Sequence, residues 1–223
     1  MTARRTVTIH AAVDHAAAAH QRNYEADASV QSIEQVLEKF RAAVNAGCFG
    51  RLADPLDKLP TGTSIDFPPI HPGAFAVLAR MAEASVELGS GVTAFRVDVE
   101  EDVATTLPEP EVRFPVRIET GIGAKHVDVA VEGRGLTAEA GARIAEAIQA
   151  WAGLLGGGFP TDEVPRIGTG LLSALAARGD AVVATVDFFR ASPQCWKPLQ
   201  EALSCIHEDS AIESLELEVL FRN

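Results

Sequence analysis

Five stretches of this chain alternate apolar with polar residues, and a sixth is apolar almost throughout. Those runs constrain the fold more than any other feature. Successive side chains of a strand point to opposite faces, so a period of two marks a strand with one buried and one wet face. Val7-Thr8-Ile9-His10-Ala11-Ala12-Val13 puts its odd positions on one side. Phe95, Val97 and Val99 oppose Arg96, Asp98 and Glu100. Val112, Phe114, Val116 and Ile118 alternate with Arg113, Pro115 and Arg117. Pro115 has no N–H to donate, which predicts an edge strand or a bulge there. Val127, Val129 and Val131 alternate with Asp128, Ala130 and Glu132, and Leu215, Leu217, Val219 and Phe221 alternate with Glu216 and Glu218. Residues 182–189 are apolar at nearly every position, as in a more central strand.

Helical spacing fills the intervals. Val30, Ile33, Leu37, Phe40 and Val44 form one stripe, with Ser32 and Gln35 as a capping box and Gly47 as the C′ residue. Phe75, Leu78 and Ala82 form a weaker stripe ending at Gly89. Ile144, Ile148, Trp151 and Leu155 form a third, with Thr137 as N-cap. Leu171, Leu172 and Leu175 predict a short helix stopping at Gly179. Trp196, Leu199, Leu203 and Ile206 predict the last, opened by Ser192-Pro193. Pro198 either kinks that helix or sets its start.

The expected class is therefore α+β (mixed α/β): about six strands in a sheet, with amphipathic helices mainly on one face. The two halves, 1–105 and 106–223, read as two copies of a β-α-α-β unit, with an extra helix and terminal strand in the second. Both first helices run into a glycine turn, Asn45-Ala46-Gly47-Cys48-Phe49-Gly50 and Leu155-Gly156-Gly157-Gly158-Phe159-Pro160. Convergence on ordinary α/β punctuation is the competing account. The halves meet at the acidic, Pro-bearing stretch Glu100 to Glu111, which reads as a solvated loop. It lacks the ligand spacing and central glycine of a calcium loop.

Charge bears on partners. The chain has 223 residues and a formal net charge of −12. Such a surface repels phosphate backbones and anionic lipid, which argues against nucleic acid and membrane as partners. Arg113 and Arg117, on one strand face, are the one small basic spot the pattern suggests. No apolar run approaches the ~20 residues of a membrane helix, and Met1 to Val7 does not open a signal peptide. Three cysteines, Cys48, Cys195 and Cys205, are too few and too odd for a disulfide framework. A reducing cytoplasm is the expected compartment.

Candidate chemistry is sparse. His10, Asp14, His15 and His20 are the densest set of metal-ligand types. On a strand His10 and Asp14 share a face and His15 turns away, while His15 and His20 are wrongly spaced for one helical turn. No metal site and no cofactor are expected. Cys195, Cys205 and His207 lie in the last helix, where ten residues between the cysteines keep them from one zinc. Cys195 falls in the first turn, where a helix N-terminus lowers a thiol pKa, so it is a candidate nucleophile that needs a histidine brought in by the fold. Gly89-Ser90-Gly91, Gly121-Ile122-Gly123, Gly156-Gly157-Gly158 and Gly168-Thr169-Gly170 read as turns and caps, the second as a hairpin. Only the last stands at a helix N-terminus suited to an anion, and it lacks the lysine of a P-loop.

Two functions follow as expectations. The first is a non-enzymatic, acidic protein-binding or accessory protein, with the terminal strand Leu215 to Phe221 offering an edge. The alternative is a small-molecule-binding protein or enzyme with its site at the junction of the halves, using His10, Asp14 or Cys195.

Overall fold

The computed structural model describes residues 5–13, 32–87, 92–99, 107–118, 126–159, 176–187, 193–210 and 212–222. Among the described residues eight strands and four helices follow in the order β1 (Arg5–Val13), α1 (Ile33–Asn45), β2 (Ser64–Phe67), α2 (Gly73–Glu87), β3 (Val92–Val99), β4 (Val116–Ile118), β5 (His126–Arg134), α3 (Ala138–Gly156), β6 (Ala176–Arg178), β7 (Ala181–Asp187), α4 (Trp196–Asp209) and β8 (Ser214–Arg222). The class is mixed α and β. The strands divide into a three-stranded sheet, β2-β1-β3, and a five-stranded one, β4-β8-β5-β7-β6. Eight described strands in two sheets stand where about six in a sheet were expected, and the alternation alone does not decide between one sheet and two. Two short strands went unread, since four residues in β2 and three in β6 are too few for a periodicity to show.

Each sheet places one long strand between two antiparallel neighbours: β1 between β2 and β3, and β5 between β7 and β8. Among the described residues the first half runs β1-α1-β2-α2-β3 and the second β5-α3-β6-β7-α4-β8, so in each a strand lies between the helices. The second sheet adds an edge on each side. β6 turns back onto β7 through Gly179 and Asp180, with Gly179 at φ +60°. Residues 176–178 are thus a strand leading into a two-residue hairpin, not a helix stopping at Gly179. The stripe Leu171, Leu172 and Leu175 lies outside the described residues. On the other side β4 pairs parallel to β8. Pro115 comes just before this edge strand, as its missing N–H requires, and its carbonyl accepts from Leu217 N–H at 3.0 Å.

Two expectations fail on connectivity. β8 lies inside the sheet, between β4 and β5, so the terminal strand offers no edge. The same insertion separates β4 from β5, so they are not a hairpin. The glycines 121 and 123 lie outside the described residues, as do 89–91 and 168–170.

The helices form where caps and stripes agree. Gln35 N–H donates to Ser32 Oγ at 3.3 Å and Ser32 N–H to Gln35 Oε1 at 2.8 Å, closing the capping box of α1. Ala140 N–H donates to Thr137 Oγ1 at 3.1 Å at the start of α3. Both helices end alike. Gly47 N–H donates to Val44 O and Cys48 N–H to Ala43 O, while Gly158 N–H donates to Leu155 O and Phe159 N–H to Leu154 O. These are Schellman closures, and both need a left-handed residue, Gly47 at φ +83° and Gly158 at φ +97°. Pro198 stands in the first turn of α4, where its missing N–H would have no helical partner anyway.

One apolar core takes in both halves. Ile33, Val36, Leu37, Phe40, Ala43 and Val44 of α1 are buried, and at the same spacing so are Ile144, Ala147, Ile148, Trp151, Leu154 and Leu155 of α3. α1 packs on α3, α2 on α1 and β3, and α3 on α4 and β7. Lys39 of α1 donates to Gly156 O at 3.3 Å, a cation at the C-terminal end of α3. Burial lowers the Lys39 pKa from its ordinary value. Among the described helices none is long and apolar enough to cross a membrane.

Candidate functional site

The residues singled out by sequence do not come together. His10 lies on the outer, wet face of β1, and its Nε2 is 3.2 Å from Asp98 Oδ2 on β3, which also pairs with Arg96. A shallow open cleft of about 310 Å³ runs past it, lined by Thr61, Gly62, Phe95 and Arg96 among others. Asp14, His15 and His20 lie outside the described residues. Among the described residues no group of three or more His, Cys, Asp or Glu side chains is placed to hold a metal ion.

Cys195 ends a short 3-10 turn, Pro193–Cys195, and occupies the N-cap position of α4. Its side chain is fully buried. Its carbonyl accepts from Trp151 Nε1 at 2.6 Å, and the Trp151 ring stacks on Trp196 at 5.0 Å. This position is a joint between α3 and α4, and in this conformation its thiol has no face toward a dissolved substrate. His207 stands edge-on to Phe114, with ring centroids 6.1 Å apart. Arg113 and Arg117 form no basic spot. Arg113 precedes β4 and lies 3.7 Å from Glu111 and 3.9 Å from Glu208, and Arg117 lies 3.4 Å from Glu218.

The junction of the halves does hold a small, partly open recess of about 50 Å³, between the α1 closing turn, the 107–110 segment and α4. Cys48, Phe49, His71, Leu107, Lys197 and Glu201 line it. A cavity of that size takes about a water molecule or two, not a metabolite. Lys197 Nζ donates to Leu107 O at 3.2 Å and lies 2.7 Å from Glu109, so it straps the inter-half segment onto α4. Leu107 and Phe114 anchor that segment by burial, while Pro108, Glu109 and Glu111 stay exposed. His71 Nδ1 accepts from Gly73 N–H at 3.0 Å at the start of α2. Burial, and then Arg5, lower its pKa. Burial, then the neighbouring Glu208 and Glu111, push the Glu201 carboxyl up. Burial pushes the Cys48 thiol far above its ordinary value, with Cys205 and Glu201 adding to it. Cys205 rises to about 11, by burial first and then Glu201. Such thiols are protonated at neutral pH and poor nucleophiles.

A third surface was not legible as a site. The inner face of the second sheet is apolar, with Val127, Val129 and Val131 of β5 set against Val182 and Ala184 of β7 and Leu217 and Val219 of β8. The outer face carries Leu220, the one large apolar side chain exposed among the described residues, at 37%. Ala130, Val183 and Ala181 share that face and are half-buried. The outer face of the first sheet is different. There Thr8 and Ser64 hydroxyls hydrogen-bond at 2.7 Å, Thr6 Oγ1 donates to Asp66 at 3.5 Å, and His10 meets Asp98. Sequence alternation marks both outer faces as wet. Only the pairing of β5 with both β7 and β8 gathers the apolar outliers of three strands onto one surface.

Comparison of the chain with family models, with curated proteins and with solved structures finds no match.

Proposed function

We propose that the chain is a non-enzymatic protein-binding or accessory protein whose contact surface is the outer face of the second sheet. The observation that carries this reading is Leu220, exposed on a sheet face beside Ala130 and Val183. Antiparallel sheets commonly keep a polar outer face, and a cluster of apolar residues there is stabilised when a partner removes it from water. The acidic total adds a preference for a partner with a basic or mixed surface, through association rate more than final affinity. The matched helix caps and strand order of the halves support, within the same proposal, a unit duplicated once and divided near residue 105.

Affinity capture with three forms of the full chain tests the docking surface: wild type, Leu220→Lys, and Thr8→Lys on the outer face of the first sheet. Proteins retained by wild type and Thr8→Lys but lost with Leu220→Lys support it. The same proteins retained by all three forms would sink it.

The second reading, a small-molecule site at the junction, is favoured by the small recess beside His71, Lys197 and Glu201. It requires the 107–110 strap to lift. A metabolite whose thermal stabilisation of the chain disappears in Lys197→Met would support it over the docking surface.

A further inference from the structure

We infer that the partner of this face is an amphipathic helix whose apolar stripe is flanked by Lys and Arg, an inference that rests on the docking reading above. The strand register sets the pattern. Leu220 of β8 stands opposite Asp128 of β5, Ala130 stands between Glu218 and Val183, and Ala181 of β7 stands opposite Glu132. The apolar positions therefore run diagonally across β8, β5 and β7, and Leu220, Ala130 and Ala181 each stand opposite an acidic residue. From Leu220 to Ala181 the diagonal crosses two strand spacings and four residues of rise, about 17 Å in all. About three turns of helix have that length, and residues at i, i+4, i+7 and i+11 would lie along it.

The flanking charge is not balanced within the face. Glu132 and Glu216 stand directly opposite each other on β5 and β8. Like charges in that relation destabilise a sheet. Glu218 is bridged to Arg117, but among the described residues neither Glu132 nor Glu216 enters an ion pair. Among the described side chains the arginines of this face stand at its rim, Arg117 on the edge strand β4 and Arg134 at the end of β5. An open cleft of about 450 Å³ leads off the same end, lined by Glu132, Glu216, Asp180, Arg134 and Ala181 among others. It gives a long basic side chain a route between the glutamates. A helix presenting Lys or Arg beside its stripe relieves the Glu132–Glu216 repulsion and covers Leu220 in one step.

The test uses the full chain and three labelled peptides of about 18 residues. One is helical with a Leu stripe and Lys flanks, one has the same stripe with Glu flanks, and one scrambles the first. Fluorescence anisotropy reads their binding. The inference expects the Lys-flanked helix to bind best, and to weaken severalfold as salt rises from about 50 to about 300 mM. Its affinity should fall about tenfold in Glu132→Gln/Glu216→Gln, and fall again with Leu220→Lys. A loop variant with the same loss of charge, Asp54→Asn/Asp57→Asn, should bind like wild type. Circular dichroism melts confirm that each variant is folded. Equal binding of the scrambled peptide, or equal loss in the loop variant, would show only diffuse attraction to an acidic chain and overturn the inference. Concentration-dependent self-association abolished by Leu220→Lys would overturn it in favour of a second copy. Capture that depends on Leu220 without a preference for the Lys-flanked helix would reject the helix and leave the docking surface standing. Capture indifferent to Leu220 would reject both.

Discussion

Replacing Trp151 by Phe tests the joint that holds α4 against α3. Trp151 is fully buried, donates to Cys195 O at 2.6 Å and stacks on Trp196 at 5.0 Å. Phe keeps a ring in the stack and removes the donor. The Cys195 carbonyl occupies the N-cap position of α4, so it keeps the first intrahelical bond and loses only its second partner. That places the hydrogen-bond loss at the lower end of the usual range for a buried group, about 1 to 1.5 kcal/mol. Shrinking indole to phenyl uncovers about 40 Å² of apolar packing, worth about 1 kcal/mol at ~25 cal/mol per Å². The sum is about 2 to 2.5 kcal/mol. For a chain of this size, at about 2–4 °C per kcal/mol, Tm should fall by about 4–10 °C. Urea denaturation followed by far-ultraviolet circular dichroism measures the free energy without relying on the tryptophan signal. A loss below about 0.5 kcal/mol would refute the reasoning, because surface substitutions away from such features fall within that range.

The two Schellman turns should respond alike: Gly47→Ala and Gly158→Ala each place a Cβ at positive φ and should cost about 1–2 kcal/mol in urea melts, whereas free tolerance at either would deny the left-handed turn there. Gly47→Ala tests backbone strain with little clash, since an added Cβ would meet Cys205 Cβ only at an ordinary 3.6 Å. Native-state alkylation with iodoacetamide, read by mass spectrometry, should be slow at pH 8 at all three cysteines. It should increase at Cys205 as pH approaches about 11, and fast labelling at neutral pH would contradict its burial beside Glu201. Glu201 has a folded-state pKa raised above its unfolded one, so its contribution is fully present in acid and is lost as pH rises through the shifted value. Glu201→Gln should therefore gain stability over wild type at pH 7 and lose that advantage below the ordinary glutamate range. Denaturation midpoints showing the same advantage at both pH values would contradict it.

Much of the local structure was legible because it is decided within a few residues. The Ser32–Gln35 capping box, the Thr137 cap, the glycine closures and the buried stripes of four helices formed where the spacing placed them. The short strands were not legible. In β2 only Ile65 and Phe67 point inward, and two residues do not make a period. The fourth predicted helix met a hairpin at Gly179 because a strand end and a helix end use the same glycine conformation. Its place at a helix start makes Cys195 a candidate nucleophile, but whether a thiol meets solvent depends on what packs over it, here α3 and its tryptophan.

By itself the sequence determined the longer strands and the four described helices, which face of each is apolar, where α1 and α3 are capped, and that the net charge is −12. These follow from side-chain alternation, helical spacing and hydrogen bonds between near neighbours. Tertiary structure decided the partners of each strand: two sheets where the sequence left one or two open, β8 inserted between β4 and β5, and the second sheet's outer face assembled from Ala130, Val183 and Leu220. Strand pairing is a long-range choice in which several arrangements satisfy the same alternation. Nothing within β5, β7 or β8 alone indicates which outward side chains will become neighbours.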